Sequence, residues 1–187
     1  MNNQSIKKIT TTSILVAVAV VFDLIVRYTP GLNISMPNGG SPFGISMVPL
    51  VIIALIYGIP YGIIGGVIFG FVNFLLDGYG FHWASLLLDY VVAFGIIGLS
   101  GLFKGGLKSW KQTLFAIMLA GFLRYIIHGL SGVIIYADYT PPGKTPFFYS
   151  FILYNLPYMA ATTFISAVIL LLIRKKLNDI LDESQML

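Results

Sequence analysis

The chain has no cysteine, few charged residues and only two histidines, and each shortage closes off a class of function. Without cysteine there is no disulfide framework and no thiolate chemistry, although that absence does not fix the redox compartment. His82 and His128 are too few for a typical zinc site, so no metal is expected. Neither a G-x-S-x-G elbow nor an H-E-x-x-H helix occurs, which leaves catalysis without obvious machinery. Gly143-Lys144-Thr145 looks like the end of a nucleotide-binding loop, but that motif needs a glycine five positions before Gly143, where Asp138 stands. No nucleotide site and no cofactor are expected.

What the chain does have is apolar residues. Hydrophobic residues make up 57% of the 187 and charged ones 10%, with a mean hydropathy of +0.90, outside the range of a soluble globular protein. This composition is that of an integral membrane protein. Eleven basic residues against seven acidic ones would suit a nucleic-acid partner, yet they sit in short clusters between apolar runs. That arrangement reads as membrane topology, with lipid as the surrounding partner and no nucleic acid.

Six apolar segments, at approximately 6–27, 44–58, 60–77, 83–103, 111–136 and 147–174, approach the ~20 residues a helix needs to cross a bilayer, some of them short or glycine-rich. The expected fold is one all-α membrane domain over residues 1–187, with six transmembrane helices. Only Gly58-Ile59-Pro60 separates the second segment from the third, and a five-span alternative would put the termini on opposite sides. With six spans, Lys7 and Lys8, Lys104, Lys108 and Lys111, and Arg174, Lys175 and Lys176 all fall on one side. By the excess of basic residues that side is cytoplasmic, with both termini inside a bacterial plasma membrane. The start resembles a secretory signal, Ala17-Val18-Ala19 mimicking a cleavage site, but the apolar run continues to Val26 and reads as a retained span.

The outer connections are then 28–43, 78–82 and 137–146. The first is rich in turn formers, with Asn38-Gly39-Gly40 able to supply positive φ, and reads equally as a lid or as an ordinary connector. The GLSG tetrapeptides at Gly98–Gly101 and Gly129–Gly132 are too short to mark a repeat, and small residues on membrane helices are more often packing contacts. The polar, acidic end from Asn178 to Leu187 is assigned no function.

Ionisable groups inside such spans cost on the order of 3 kcal/mol or more unless paired or hydrated, and so mark functional sites. The stretch from Gly121 to Asn155 carries two, Arg124 and His128, one helical turn apart on the same face. Counting ~1.5 Å per residue, Asp89, His128 and Asn155 all lie roughly 9–12 Å below the outer surface. Arg124 is placed to pair with Asp89, either as a structural tie between the fourth and fifth spans or as part of a ligand site. Phe69, Tyr90, Tyr136, Tyr149 and Tyr154 gather at the same level, although tyrosines at span ends also serve as interface anchors. A carboxylate beside aromatic faces is the physical recipe for holding a weakly hydrated cation. Asn155 and His128 add donors and acceptors suited to a heterocycle edge.

Four segments carry a family resemblance: SMPNGGS at 35–41, LLLDYVVAFGIIGLSG at 86–101, FLRYIIHGLSG at 122–132 and PPGKTPFFYSFILYN at 141–155. Together, in order and over most of the chain, they resemble the thiamine-specific S components of energy-coupling factor transporters. The resemblance implies a six-helix protein that binds thiamine from outside with high affinity. It also implies a separate energising module, made of a transmembrane coupling subunit and two ATP-binding-cassette ATPases. Carried over, the acid facing the thiazolium is Asp89, with Tyr90 beside it, and the fifth-helix basic pair is Arg124 and His128. Tyr149 and Asn155 match the sixth-helix residues, Tyr136 stands where the family has a ligand-stacking tryptophan, and Phe69 stands for a second one. The acid is a glutamate in some members and is one methylene shorter here. The Tyr149-to-Asn155 spacing is one residue longer than in some members. The family's small-residue docking motif on the first helix corresponds to Ser13-x-x-x-Ala17.

Two other readings remain beside thiamine capture. One is an S component for another small vitamin or a thiamine precursor; the other is an intramembrane enzyme using His128. A passive channel is disfavoured because the polar groups stop in the outer half.

Overall fold

The computed structural model describes residues 3–37, 39–77 and 82–183, and within these every regular element is helical. Asn38, most of the 78–82 connection and the last four residues of the acidic tail lie outside the described residues. Six helices follow one another: α1 (Asn3–Tyr28), α2 (Met47–Tyr57), α3 (Ile59–Asp77), α4 (Trp83–Phe103), α5 (Trp110–Ile134) and α6 (Phe148–Glu183). Five of them are long and apolar enough to cross a membrane, and α2 is the exception at 11 residues.

α2 is short because it is the core. Every residue from Met47 to Leu55 is buried, as befits a helix that is apolar all round. Its length of about 16 Å covers only half of a ~30 Å hydrocarbon layer. The other half of that column is filled by the segment before it, which descends along α6. Tyr154 donates to the Gly39 carbonyl at 2.8 Å and, two turns further on, Thr162 donates to the Ser41 carbonyl at 2.8 Å. Gly39 and Gly40 take φ of 93° and 87°, and a Cβ on Gly40 would meet the Tyr158 ring at 2.9 Å, so glycine is required at Gly40 by both conformation and space. Irregular backbone at membrane depth is tolerated when it is enclosed by protein in this way. The 28–43 connector is thus, in its second half, a wall of the bundle.

α2 turns into α3 through Gly58, at φ 85°, whose N–H caps the Ala54 carbonyl at 2.8 Å; Pro60 sits harmlessly in the first turn of α3. α3 then packs on α4 through glycines one turn apart. A Cβ on Gly62 would meet the Gly98 backbone at 2.8 Å, and a Cβ on Gly66 or Gly70 would overlap the carbonyls of Phe94 and Tyr90. Gly129 and Gly132 on α5 are closed over by Phe151 and Ser150 of α6. Both GLSG segments are therefore helix-packing surfaces.

Two helices are wound unevenly. α4 opens into π-helical turns over Leu86–Val92 and tightens to 3₁₀ over Ile96–Phe103. α6 begins with π-helical turns over Phe148–Asn155. Pro157, which lacks an N–H and crowds the carbonyl four residues back, gives a local cause for the second widening.

Eight of the eleven basic residues collect at one end, the exceptions being Arg27, Arg124 and Lys144. Lys8 lies 6.0 Å from the Tyr61 ring centre, Arg174 donates to the Leu107 carbonyl at 3.4 Å, and Lys108 lies 3.7 Å from Asp182. The helix ends at Tyr28, Asp77, Trp83, Ile134 and Phe148 are the opposite ends of the same five long helices, and the cavity described next opens among them.

Candidate functional site

Between α1, the 29–46 segment and helices α3 to α6 lies a cavity of about 350 Å³, within the range that small-molecule pockets occupy. Asp89 reaches it from the π-helical part of α4. Ser85, one turn earlier, and Ser131 on α5 each donate to Asp89 Oδ2 at 2.7 Å, and His128 Nδ1 lies 3.1 Å from Oδ1. Since a carboxylate only accepts, the His128 proton resides on Nδ1. His128 Nε2 then faces Arg124 Nη2 at 3.4 Å, and a guanidinium only donates, so the neighbours select the neutral imidazole with Nε2 accepting.

The expected direct pairing of Arg124 with Asp89 is therefore corrected: His128 stands between them. Arg124 is buried, its guanidinium lies 4.3 Å over the Phe94 ring, and its Nε has no hydrogen-bond partner among the described residues. The cation is thus held by an aromatic face and an imidazole, with no direct contact to Asp89.

Aromatic rings form the remaining walls. Tyr149, Tyr154 and Tyr158 climb α6 with centroid separations of 6.0 and 6.2 Å, and Tyr158 stands 6.3 Å from the His128 ring. Tyr90 is held edge-on by Phe74 at 5.2 Å. Tyr136, just beyond α5, donates to Ser85 Oγ at 2.9 Å; burial raises its phenol above the ordinary value, which keeps it a neutral donor.

Asp89, Tyr90, Arg124, His128, Tyr136, Tyr149 and Asn155 all line this cavity, while Phe69 does not. Phe69 is fully buried behind Phe94, edge to face at 4.7 Å, and Phe94 takes the place at the wall expected of it. Asn155 is present but engaged. Its Nδ2 donates to Ser150 O at 2.9 Å, Ser150 Oγ at 3.1 Å and His128 O at 3.3 Å, and its Oδ1 accepts from Tyr158 at 2.8 Å. Its amide clasps α5 to α6, and only a spare lone pair on Oδ1 is left for a ligand.

Ser85, Ser131, Phe94, Tyr158 and the ion pair of Asp23 with Arg27, 2.7 Å apart on α1, join the expected residues, all of them beside Asp89 or lining the cavity. Asp23 and Arg27 break an apolar span in the same way as Arg124 and His128, so the signal was present. Ser85 and Ser131 sit four and three residues from Asp89 and His128, the spacing of helical neighbours.

The family model for thiamine transporter protein matches residues 9–182 of the chain. The chain belongs to the thiamine transporter protein family. The thiamine transporter ThiT of Bacillus subtilis (strain 168) is 33% identical to this family member over 172 residues, covering 86% of each chain. The thiamine transporter ThiT of Lacticaseibacillus paracasei is 26% identical over 155 residues, which is 75% of this chain and 74% of the relative. A solved structure of ThiT from Listeria monocytogenes superposes with a TM-score of 0.79, covering 93% of this chain and 96% of that one. At 24% identity it shows the shared fold, the all-helical one expected from the sequence. As a member of the thiamine transporter family with several long apolar helices, the chain is a multi-pass membrane protein of a transport family, not an enzyme.

Proposed function

We propose that this chain is the substrate-capture S component of an energy-coupling factor importer, and that its ligand is thiamine taken from the outer face. One observation supports this reading most: a buried carboxylate, Asp89, held by neutral donors in a cavity walled by aromatic rings, in a member of the thiamine transporter family. Thiamine joins a permanently cationic thiazolium to an aminopyrimidine. Charge attraction and cation–π contact at Asp89 suit the first ring. The Tyr149 hydroxyl and the Oδ1 of Asn155 suit the second as hydrogen-bonding groups, His128, with both nitrogens engaged, offers it the face of its ring, and Tyr90 and Tyr136 flank the rings.

The basic end is the cytoplasmic side on this reading, with both termini there and the cavity facing outward. The 28–43 segment closes over the bound vitamin. No nucleotide motif occurs in the sequence, so release draws on ATP hydrolysed by partners, a transmembrane coupling subunit with two ATP-binding-cassette ATPases. Ser13 and Ala17 are both exposed on α1, where a partner helix would approach closely.

Binding is best measured by calorimetry, because Trp83 and Trp110 are 73% and 51% exposed and are weak reporters of the cavity. Asp89→Asn is expected to weaken thiamine by about tenfold or more while sparing a neutral aminopyrimidine. Equal loss of both ligands would remove the cation-holding role, and tighter binding of a different vitamin by the wild type would overturn the assignment to thiamine.

A further inference from the structure

We infer that Ser85 and Ser131 are positioning residues which keep Asp89 as an un-neutralised carboxylate aimed at the cavity, and so make the site selective for a cationic ring over an uncharged one. This rests on the reading of the chain as a thiamine-binding subunit and names the residues that set its charge preference.

The geometry allows one arrangement of protons. A serine hydroxyl has one proton to give, and Ser85 and Ser131 each direct theirs to the same oxygen, Asp89 Oδ2, at 2.7 Å. Ser85 Oγ then accepts from Tyr136, and His128 Nδ1 donates to Oδ1. Ser85, Ser131 and His128 donate to the carboxylate itself, and Tyr136 donates to Ser85 Oγ behind one of them. Together they come from α4, α5 and the segment after α5, so they fix the position of a short side chain from several directions. Ser85 and Ser131 are 1% and 0% exposed, so water does not replace either hydroxyl without rearrangement.

The chemical nature of these donors decides the specificity. A carboxylate can be satisfied at membrane depth by an arginine or by neutral hydroxyls. Contact with Arg124 would cancel the negative charge and repel a cationic ligand. Hydroxyls supply hydrogen bonds and leave the full charge for the ligand. The structure keeps Arg124 out of direct contact with Asp89: the guanidinium lies over the Phe94 ring and meets His128 Nε2, while His128 Nδ1 is the atom that reaches Asp89. Asp23, on α1, is the other carboxylate at the cavity, and it is engaged by Arg27 at 2.7 Å. Asp89 is thus the carboxylate of this cavity that the hydroxyls hold ready for a ligand.

The test is calorimetry on the full-length protein in detergent with two probes: thiamine, and an analogue whose thiazolium is replaced by an uncharged ring of the same shape. Ser85→Ala and Ser131→Ala are each expected to weaken thiamine by about tenfold and the neutral analogue by less than about twofold. Ser85→Thr, which keeps the hydroxyl, should stay within about threefold of the wild type for both probes. Thermal melts establish that each variant is folded. Equal losses for the two probes would show a merely structural role and overturn the inference, as would a folded Ser85→Thr that behaves like Ser85→Ala. A wild type that binds neither probe overturns the thiamine reading itself, a result distinct from a wild type that binds thiamine and alanine variants that do not discriminate.

Discussion

Asn155 carries a structural task beside the ligand contact that its place at the cavity suggests. Its position in the outer third of the last helix is legible from spacing, but its amide is committed to Ser150, His128 and Tyr158. Asn155→Ala leaves the Tyr158 hydroxyl and the Ser150 backbone group with fewer partners in a buried setting. The expected outcome is a loss of about 1–3 kcal/mol of stability, seen as a lower melting temperature even without ligand. A variant that melts normally and only binds less tightly would make Asn155 a ligand contact alone. The ionisable residues Asp89, Arg124 and His128 could be found from sequence because charge at membrane depth is costly. Ser85 and Ser131 are legible only as helical neighbours of Asp89 and His128, since serine is ordinary in membrane helices and the carboxylate they point at gives them meaning. Phe69 is a wall ring by family resemblance alone, and it packs behind Phe94, whose own place on α4 has a geometric reason. The π-helical turns over Leu86–Val92 shift the register of everything after them, so a 3.6-residue period does not say which ring faces the cavity.

At the scale of elements, hydropathy located the helices well, and it is blind to what shortens α2. The apolar run from Gly44 continues without a break, but glycines 39 and 40 and hydrogen bonds to α6 hold the chain irregular until Met47. The glycines of α3 make a second kind of structural statement. Gly66 and Gly70 touch the backbone of α4 directly behind Phe94 and Tyr90, on either side of the cavity floor. Gly66→Ala and Gly70→Ala cannot be absorbed by a side-chain rotation, because the obstacle is a carbonyl. Each is expected to push α3 from α4, lower the melting temperature and weaken the ligand, whereas Gly95→Ala, which meets only a Val67 methyl at 3.0 Å, should be milder. Melting curves and binding isotherms on the three variants compare them directly. If all three behave alike, the close backbone approach is not what sets α4 in place.

For the whole molecule, the polar cavity occupies one end and the basic cluster the other, and no nucleotide motif lies between. On the proposed reading, a chain built this way holds a ligand and depends on partners to move it. Replacing Ser13 and Ala17 together by leucine is expected to leave the thiamine affinity of the purified protein unchanged and to abolish uptake by cells that carry the energising module. Loss of binding in that variant, or uptake at the normal rate, would remove α1 as the docking face. α2 has a further consequence, for how the protein is made. At 11 residues it reaches only about halfway across the hydrocarbon and cannot settle in a bilayer as an independent segment. The tight turn at Gly58 joins it to α3, so the two are expected to enter as one hairpin whose shorter arm stays exposed to lipid until α4, its main packing partner beyond α1 and α3, closes over it. Damage at Gly58 would therefore appear during biogenesis, as chains inserted with the wrong topology and cleared before they ever meet a ligand.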